Sequence, residues 1–221
     1  MDRLRSLART CLRRTGLYHP VHDARRDGRF RRRNRALIAA WRREGCPPPA
    51  PDLLKYGVIR DYARRHGIRT LVETGTFYGN AIFTLRRDFT LIHSIELAPA
   101  LHALNRRELA HLPHIRLHLG DSATVLPELL RELAGPALFW LDGHFCAGPS
   151  ARGDADTPIG SELGHLLAQP AGRHVVLIDD ARLFTGRDGY PTVAELRELI
   201  RRHRPLATCE VELDIIRIAP V

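Results

Sequence analysis

From Thr70 onward, short apolar runs alternate with longer stretches whose apolar residues recur every three or four positions. The runs "TLVETG", "TLIHSIE", "HIRLHLGD", "PALFWLD" and "HVVLIDD" predict buried strands. Between them, "GNAIFTLRRD", "PALHALNRRELAHL", "VLPELLRELAG" and "TPIGSELGHLLAQ" predict helices, the last with Thr157 as cap and Pro158 at its first helical position. After the fifth strand, "TVAELRELIRRH" predicts a helix with a capping box from Thr192 to Glu195. The last two runs, "ATCEVE" and "DIIRIAP", are separated by so little chain that they should pair antiparallel. Alternation of this kind predicts an α/β fold, a doubly wound and mostly parallel sheet of seven strands closed by an antiparallel last strand.

Upstream the pattern changes. "LLKYGVIRDYARRHG" reads as an amphipathic helix stopped at Gly67. Before it, "CPPPAPD" is a stiff proline break. The expected domains are therefore a basic helical extension with its proline linker, 1–50, and a main domain, 51–221. Charge supports the division. Residues 1–50 hold 14 arginines against 4 acids, a net of +10, whereas the rest of the chain carries −1 of the overall +9. An Arg-rich segment of this kind is open to an anionic membrane surface, a second subunit or nucleic acid. Leu4, Leu7, Ala8, Cys11 and Leu12 fall at helical spacing among arginines, which suits a membrane surface. "RFRRRNR" matches no nucleic-acid motif and the main domain is near neutral, so nucleic acid is not the expected partner. No run reaches the roughly 18–20 apolar residues of a membrane span, and no apolar leader precedes a cleavage site. Four scattered cysteines without a CxxC pair argue against structural zinc and fit reduced thiols. The cytoplasm is the expected location, with peripheral contact at the inner membrane surface left to the N-terminal segment.

Candidate chemistry begins at "LVETGTFYGN". In open parallel sheets, ligands bind at the carboxyl ends of the strands. Gly75 would allow a sharp turn there, and Gly79 a close start to the next helix. Phe77 stands where a dinucleotide fingerprint has its central glycine, and a phosphate-loop lysine is missing. The turn thus suits an adenosine ligand without a pyrophosphate. The second strand ends in Glu96, about 20 residues on, where a ribose-binding carboxylate is expected. The third ends in Asp121 and Ser122, near an adenine edge. Each acid alone could be a helix cap; in sequence they form a pattern.

On those residues, 70–218 resemble class I S-adenosylmethionine (SAM)-dependent methyltransferases, a Rossmann-like fold whose sheet ends in the same antiparallel hairpin. The resemblance implies that Glu73, Thr74, Gly75 and Gly79 line the methionine part of SAM, that Thr76 and Asn80 also bind the cofactor, that Glu96 holds the ribose, and that Asp121 with Ser122 meets the adenine. A second constellation follows from "LFWLDGH" and "VVLIDD", whose strand ends would gather Asp142, Asp179 and Asp180. Three carboxylates together call for a positive partner, and a hard divalent ion such as Mg²⁺ is the expected one. The plainer alternative is that Asp142 faces the cofactor while the Asp pair caps a turn. The arrangement is similar to the metal-dependent O-methyltransferases of the catechol and macrocin type, in which such acids hold Mg²⁺ against two substrate oxygens.

The expected activity is Mg²⁺-assisted O-methylation of a small molecule or a sugar or glycan-related hydroxyl. His144, two residues after Asp142, is the nearest candidate base or a fourth ligand. Lys55, the one lysine in the chain, is the second candidate, as base or as partner of the cofactor carboxylate. Alternatives are a methyltransferase acting on a macromolecule, an NAD oxidoreductase, and a metal hydrolase built on Asp142, His144, Asp179 and Asp180. A homo-oligomer is compatible with all of them.

Overall fold

The computed structural model describes residues 18–143, 158–169 and 174–221. The chain divides into two compact units, the first ending at Pro47 and the second running from Pro48 to Val221. In the first, the arginines from Arg25 to Arg43 lie in one long helix, α1 (Tyr18–Arg43). The apolar positions from Leu4 to Leu12 lie outside the described residues. No described helix is long and apolar enough to cross a membrane.

The second unit opens with α2 (Asp52–Arg65), which stops as expected near Gly67, where φ is +63°. Five parallel strands follow: β1 (Thr70–Thr74), β2 (Leu91–Glu96), β3 (Ile115–Leu119), β4 (Ala137–Leu141) and β5 (Val175–Ile178). The intervening helices are α3 (Asn80–Leu85), α4 (Pro99–Leu109), α5 (Ser122–Glu132) and α6 (Ile159–Leu167). Pro158 flanks α6 rather than opening it, and Thr157 lies outside the described residues. Helix α7 (Val193–His203) carries the expected capping box, Thr192 with Glu195. Strands β6 (Ala207–Glu212) and β7 (Ile215–Pro220) pair antiparallel, and β7 inserts beside β5.

The strand order is β3-β2-β1-β4-β5-β7-β6. Order reverses between β1 and β4, which makes their carboxyl ends the switch point of the sheet. β4 and β5 are buried at every position, as their unbroken apolar runs require. One face of the core joins Val72, Ile95, Phe139, Leu141, Val176 and Ile178 to Leu126 and Leu130 of α5 and Leu163 and Leu166 of α6. Burying these side chains at about 1.5–3 kcal/mol each is what holds the rim in place.

Candidate functional site

The turn after β1 is built for two strands to approach closely. Gly75 has φ +89°, and a Cβ there would lie 2.5 Å from the Asp142 carbonyl oxygen and 3.1 Å from Gly143 Cα. Glycine is therefore required both by the backbone angle and by the meeting of β1 with β4. Its N–H and that of Thr76 donate to Ile95 O, at 3.0 and 3.1 Å, so the turn is tied to β2. Gly79, at φ +67°, caps α3, and a Cβ there would stand 2.4 Å from Asn105 Oδ1. Its close approach is to α4. Asn105, buried on α4, donates to Phe77 O at 2.6 Å and holds the turn from the far side.

Three acids stand at adjacent strand ends. Glu73 pairs in register with Ser94, and Glu96 with Leu119. Glu96 accepts from two backbone N–H groups, Phe77 at 2.7 Å and Ala98 at 2.8 Å, which aim it along the rim. Asp121 caps α5, accepting from the Ala123 N–H at 2.8 Å, and Ser122 is buried beside it. Glu73 lies one step below the rim and is 2 % exposed. Ser94 Oγ donates to it at 2.5 Å and meets Thr76 Oγ1 at 2.6 Å. Burial pushes its carboxyl up to about 8, against the Ser94 hydrogen bond and with help from Glu96. A buried acid at that value is poised to ionise when a cation arrives.

Phe77, Tyr78 and Leu119, 42 %, 46 % and 50 % exposed, stand beside these acids at the carboxyl ends of β1 and β3. They offer apolar faces where an aromatic ring could lie. Asn80 is exposed at the start of α3, while Thr74 and Thr76 are buried.

One acid escaped the sequence reading. Glu162 of α6 is buried, and its carboxyl is pushed up to about 7, first by burial. The Ser122 and Thr74 hydroxyls pull it back, yet among the described residues neither Glu162 Oε1 nor Thr74 Oγ1 makes a hydrogen bond of normal geometry. Both flank Gly143, at 3.6 and 3.3 Å from where its Cβ would be. The signal was present: Glu162 falls with Ile159, Leu163 and Leu166 on the apolar stripe of its helix. Among the described residues the rim thus holds two buried oxygens without a hydrogen bond of normal geometry beside the aimed Glu96 and the exposed rings.

At the next two strand ends the register does gather Asp142 and Asp179. Asp142 N donates to Thr74 O at 3.1 Å, and Asp179 N to Leu141 O at 3.0 Å. Asp180 follows at φ +57°. Burial, then Asp179 and Glu73, hold the Asp142 carboxyl well above the usual carboxylate range. The positive partners are the chain's own. Lys55 Nζ lies 2.6 and 2.7 Å from the two oxygens of Asp179 and 3.6 Å from Asp180 Oδ1. Arg182 bridges Asp180, at 2.7 Å, and Asp214. Burial works against the Lys55 charge, but Asp179, Asp180 and Asp142 outweigh it and raise its pKa. The carboxylates around Lys55 favour its charged form, whereas a base would have to act from the neutral amine. Tyr56, next to it on α2, is buried with its phenol raised by burial, Asp52, Glu73, Asp142 and Asp179.

The expected three-carboxylate Mg²⁺ set does not fit a divalent ion as arranged. Both oxygens of Asp179 are taken up by an ammonium, and among the described residues no group of three His, Cys, Asp or Glu is placed to hold a metal. His144 lies outside the described residues.

No family model matches the chain, and no curated protein is similar to it in sequence. Solved structures are similar in fold. An O-methyltransferase from Bacillus cereus, in complex with SAH, is 16% identical over 85% of this chain and 89% of its own, with a TM-score of 0.54. The O-methyltransferase TomG from Streptomyces achromogenes, involved in tomaymycin synthesis and in complex with SAM, is 21% identical over 83% and 86%, at 0.51. The SAH-bound methyltransferase PaMTH1 of Podospora anserina is 18% identical over 76% and 78%, at 0.50. With its strand order and antiparallel β7, the chain has the class I methyltransferase fold.

Proposed function

We propose that this chain is a SAM-dependent methyltransferase that methylates an oxygen of a small molecule or sugar. The observation that carries the reading is the alignment of Glu73, Glu96 and Asp121 on the carboxyl ends of β1, β2 and β3, beside the switch point. The O-methyltransferase similarity of the Bacillus cereus and Streptomyces achromogenes structures supports the acceptor class.

SAM supplies, when bound, an electrophilic methyl on a sulfonium, and transfer to an oxygen releases a neutral thioether that needs no acid. The chain's residues would do the rest. Glu96 keeps lone pairs free of its two backbone bonds to accept ribose hydroxyls. Asp121 and Ser122 mark the adenine end, and Phe77, Tyr78 and Leu119 give the ring apolar cover. Glu73 and Glu162 place carboxyl groups below the rim, where they offset positive charge. Alignment of acceptor and methyl donor contributes several kcal/mol to such a reaction. Asp142 and His144 are the candidate acceptors of the proton that leaves the hydroxyl. Mg²⁺ on Asp142, Asp179 and Asp180 is the competing version of the acceptor site, and it requires Lys55 to leave Asp179. The macromolecular alternative draws only on the Arg-rich first unit.

Calorimetry of the full chain with SAM, NAD and ATP in EDTA tests the assignment. SAM should bind and NAD should not; binding of NAD alone overturns the proposal. Incubation with methyl-labelled SAM and a host small-molecule extract should then yield a labelled product carrying one added methyl.

A further inference from the structure

The lone lysine of a chain holding 34 Lys and Arg is buried at the carboxyl end of the sheet, on the carboxylate pair that follows β5. It comes from α2, outside the alternating strands and helices, and reaches an aspartate 124 positions away. Both side chains are 7 % exposed, so the pair is sealed from water rather than lying on a rim. Its two contacts, at 2.6 and 2.7 Å to both oxygens of one carboxylate, are the way a small cation sits on that group. Arginine, the basic residue used everywhere else, is a planar fork too broad for a compact point charge.

We propose that Lys55 is the built-in cation of the acceptor site, standing on Asp179 where a divalent ion would otherwise be held, so that the chain needs no metal and gains a metal site only when the lysine is removed. This rests on the reading of the site as a methyltransferase centre. The charges close around it. Asp180 and Asp214 are shared with Arg182, Asp179 is taken by Lys55, and Asp142 faces the same ammonium. A dication placed among these acids would face a buried ammonium at van der Waals range, with no water between them to screen the repulsion. The ion would have to expel or deprotonate Lys55 to bind. An ammonium offers hydrogen bonds in place of open coordination positions, so it favours an acceptor presenting a single hydroxyl over one that must chelate through two.

The test uses Mn²⁺ as the probe on the full chain, without SAM or acceptor, so that its outcome does not depend on the methyltransferase reading. Binding is followed by electron paramagnetic resonance and by calorimetry. Wild type should show no saturable uptake in the low millimolar range. Lys55→Ala should bind Mn²⁺ at least about tenfold more tightly. Lys55→Arg should stay as metal-poor as wild type, and Lys55→Ala combined with Asp179→Asn should lose the gained site. Equal Mn²⁺ binding by wild type and Lys55→Ala overturns the proposal, as does a Lys55→Ala protein that folds and gains nothing. Should Lys55→Ala fold poorly, Mn²⁺ added to it should raise its melting temperature and leave wild type unmoved; no rise also overturns the proposal. The wild-type titration decides independently: saturable Mn²⁺ uptake abolished by Asp179→Asn refutes it. If SAM binding fails while this pattern holds, the function is wrong and the lysine assignment stands.

Discussion

Glu73 sits two residues before the turn, buried, and bonded to the Ser94 hydroxyl. With its carboxyl raised to about 8, it is protonated at neutral pH in the free protein. A sulfonium bound above it favours the carboxylate, so binding should release a proton and SAM affinity should rise with pH up to about 8. Calorimetry at pH 7 in two buffers of different ionisation enthalpy reads the released proton directly; a buffer-independent heat would contradict the assignment, and Glu73→Gln should reduce the buffer dependence, leaving the share of Glu162, whose carboxyl is pushed up to about 7. The sign for stability is the reverse. Between the usual carboxylate value of 4.5 and about 8 the folded state binds more protons than the unfolded chain, so Glu73 makes the free protein less stable as pH rises. The position of Glu73 was legible, because a strand-terminal acid before a small-residue turn is a local pattern. Its burial was not, since depth below the rim depends on how β2 and the Phe77 turn cover it. Lys55 shows the same limit more sharply: its rarity was visible in the chain, its partner across 124 positions was not.

Among elements, the edge pair β2 and β3 carries a stacked histidine couple, with His93 Nδ1 3.0 Å from His118 Nε2. Burial, then His118 and Arg116, lower His93 to about 4, and His118 is lowered as well by burial, Arg116 and His102, with Glu132 opposing. A histidine whose folded pKa lies below its ordinary 6.5 contributes stability above that value and loses it as pH falls toward 4. Urea midpoints should therefore drop between pH 6.5 and 4. His93→Gln, which cannot titrate, should show a shallower drop; an unchanged slope would mean that the pair plays no part. Strand and helix existence was readable from period alone, down to the Thr192–Glu195 box. The start of α6 was misplaced by one residue, because Pro158, at φ −77° and ψ −5°, already has a helical backbone yet only flanks the helix.

For the whole molecule, the division at Pro47 has a direct consequence. The core that holds the rim belongs entirely to the second unit. A chain lacking residues 1–47 should fold cooperatively and bind SAM within about twofold of the full chain. Loss of cooperative melting by circular dichroism would make the Arg-rich segment part of the fold.

Periodicity, strand-end acids and the closing hairpin determined the class of fold and the side of the sheet where chemistry could occur, because these follow from interactions between near neighbours in the chain. Tertiary structure alone decided which charges meet. Register set Asp142 beside Asp179, and packing of α2 brought Lys55 onto Asp179 and within reach of Asp180. Electrostatic pairing depends on distances of a few ångströms between residues far apart in sequence, and a linear pattern carries no record of such distances.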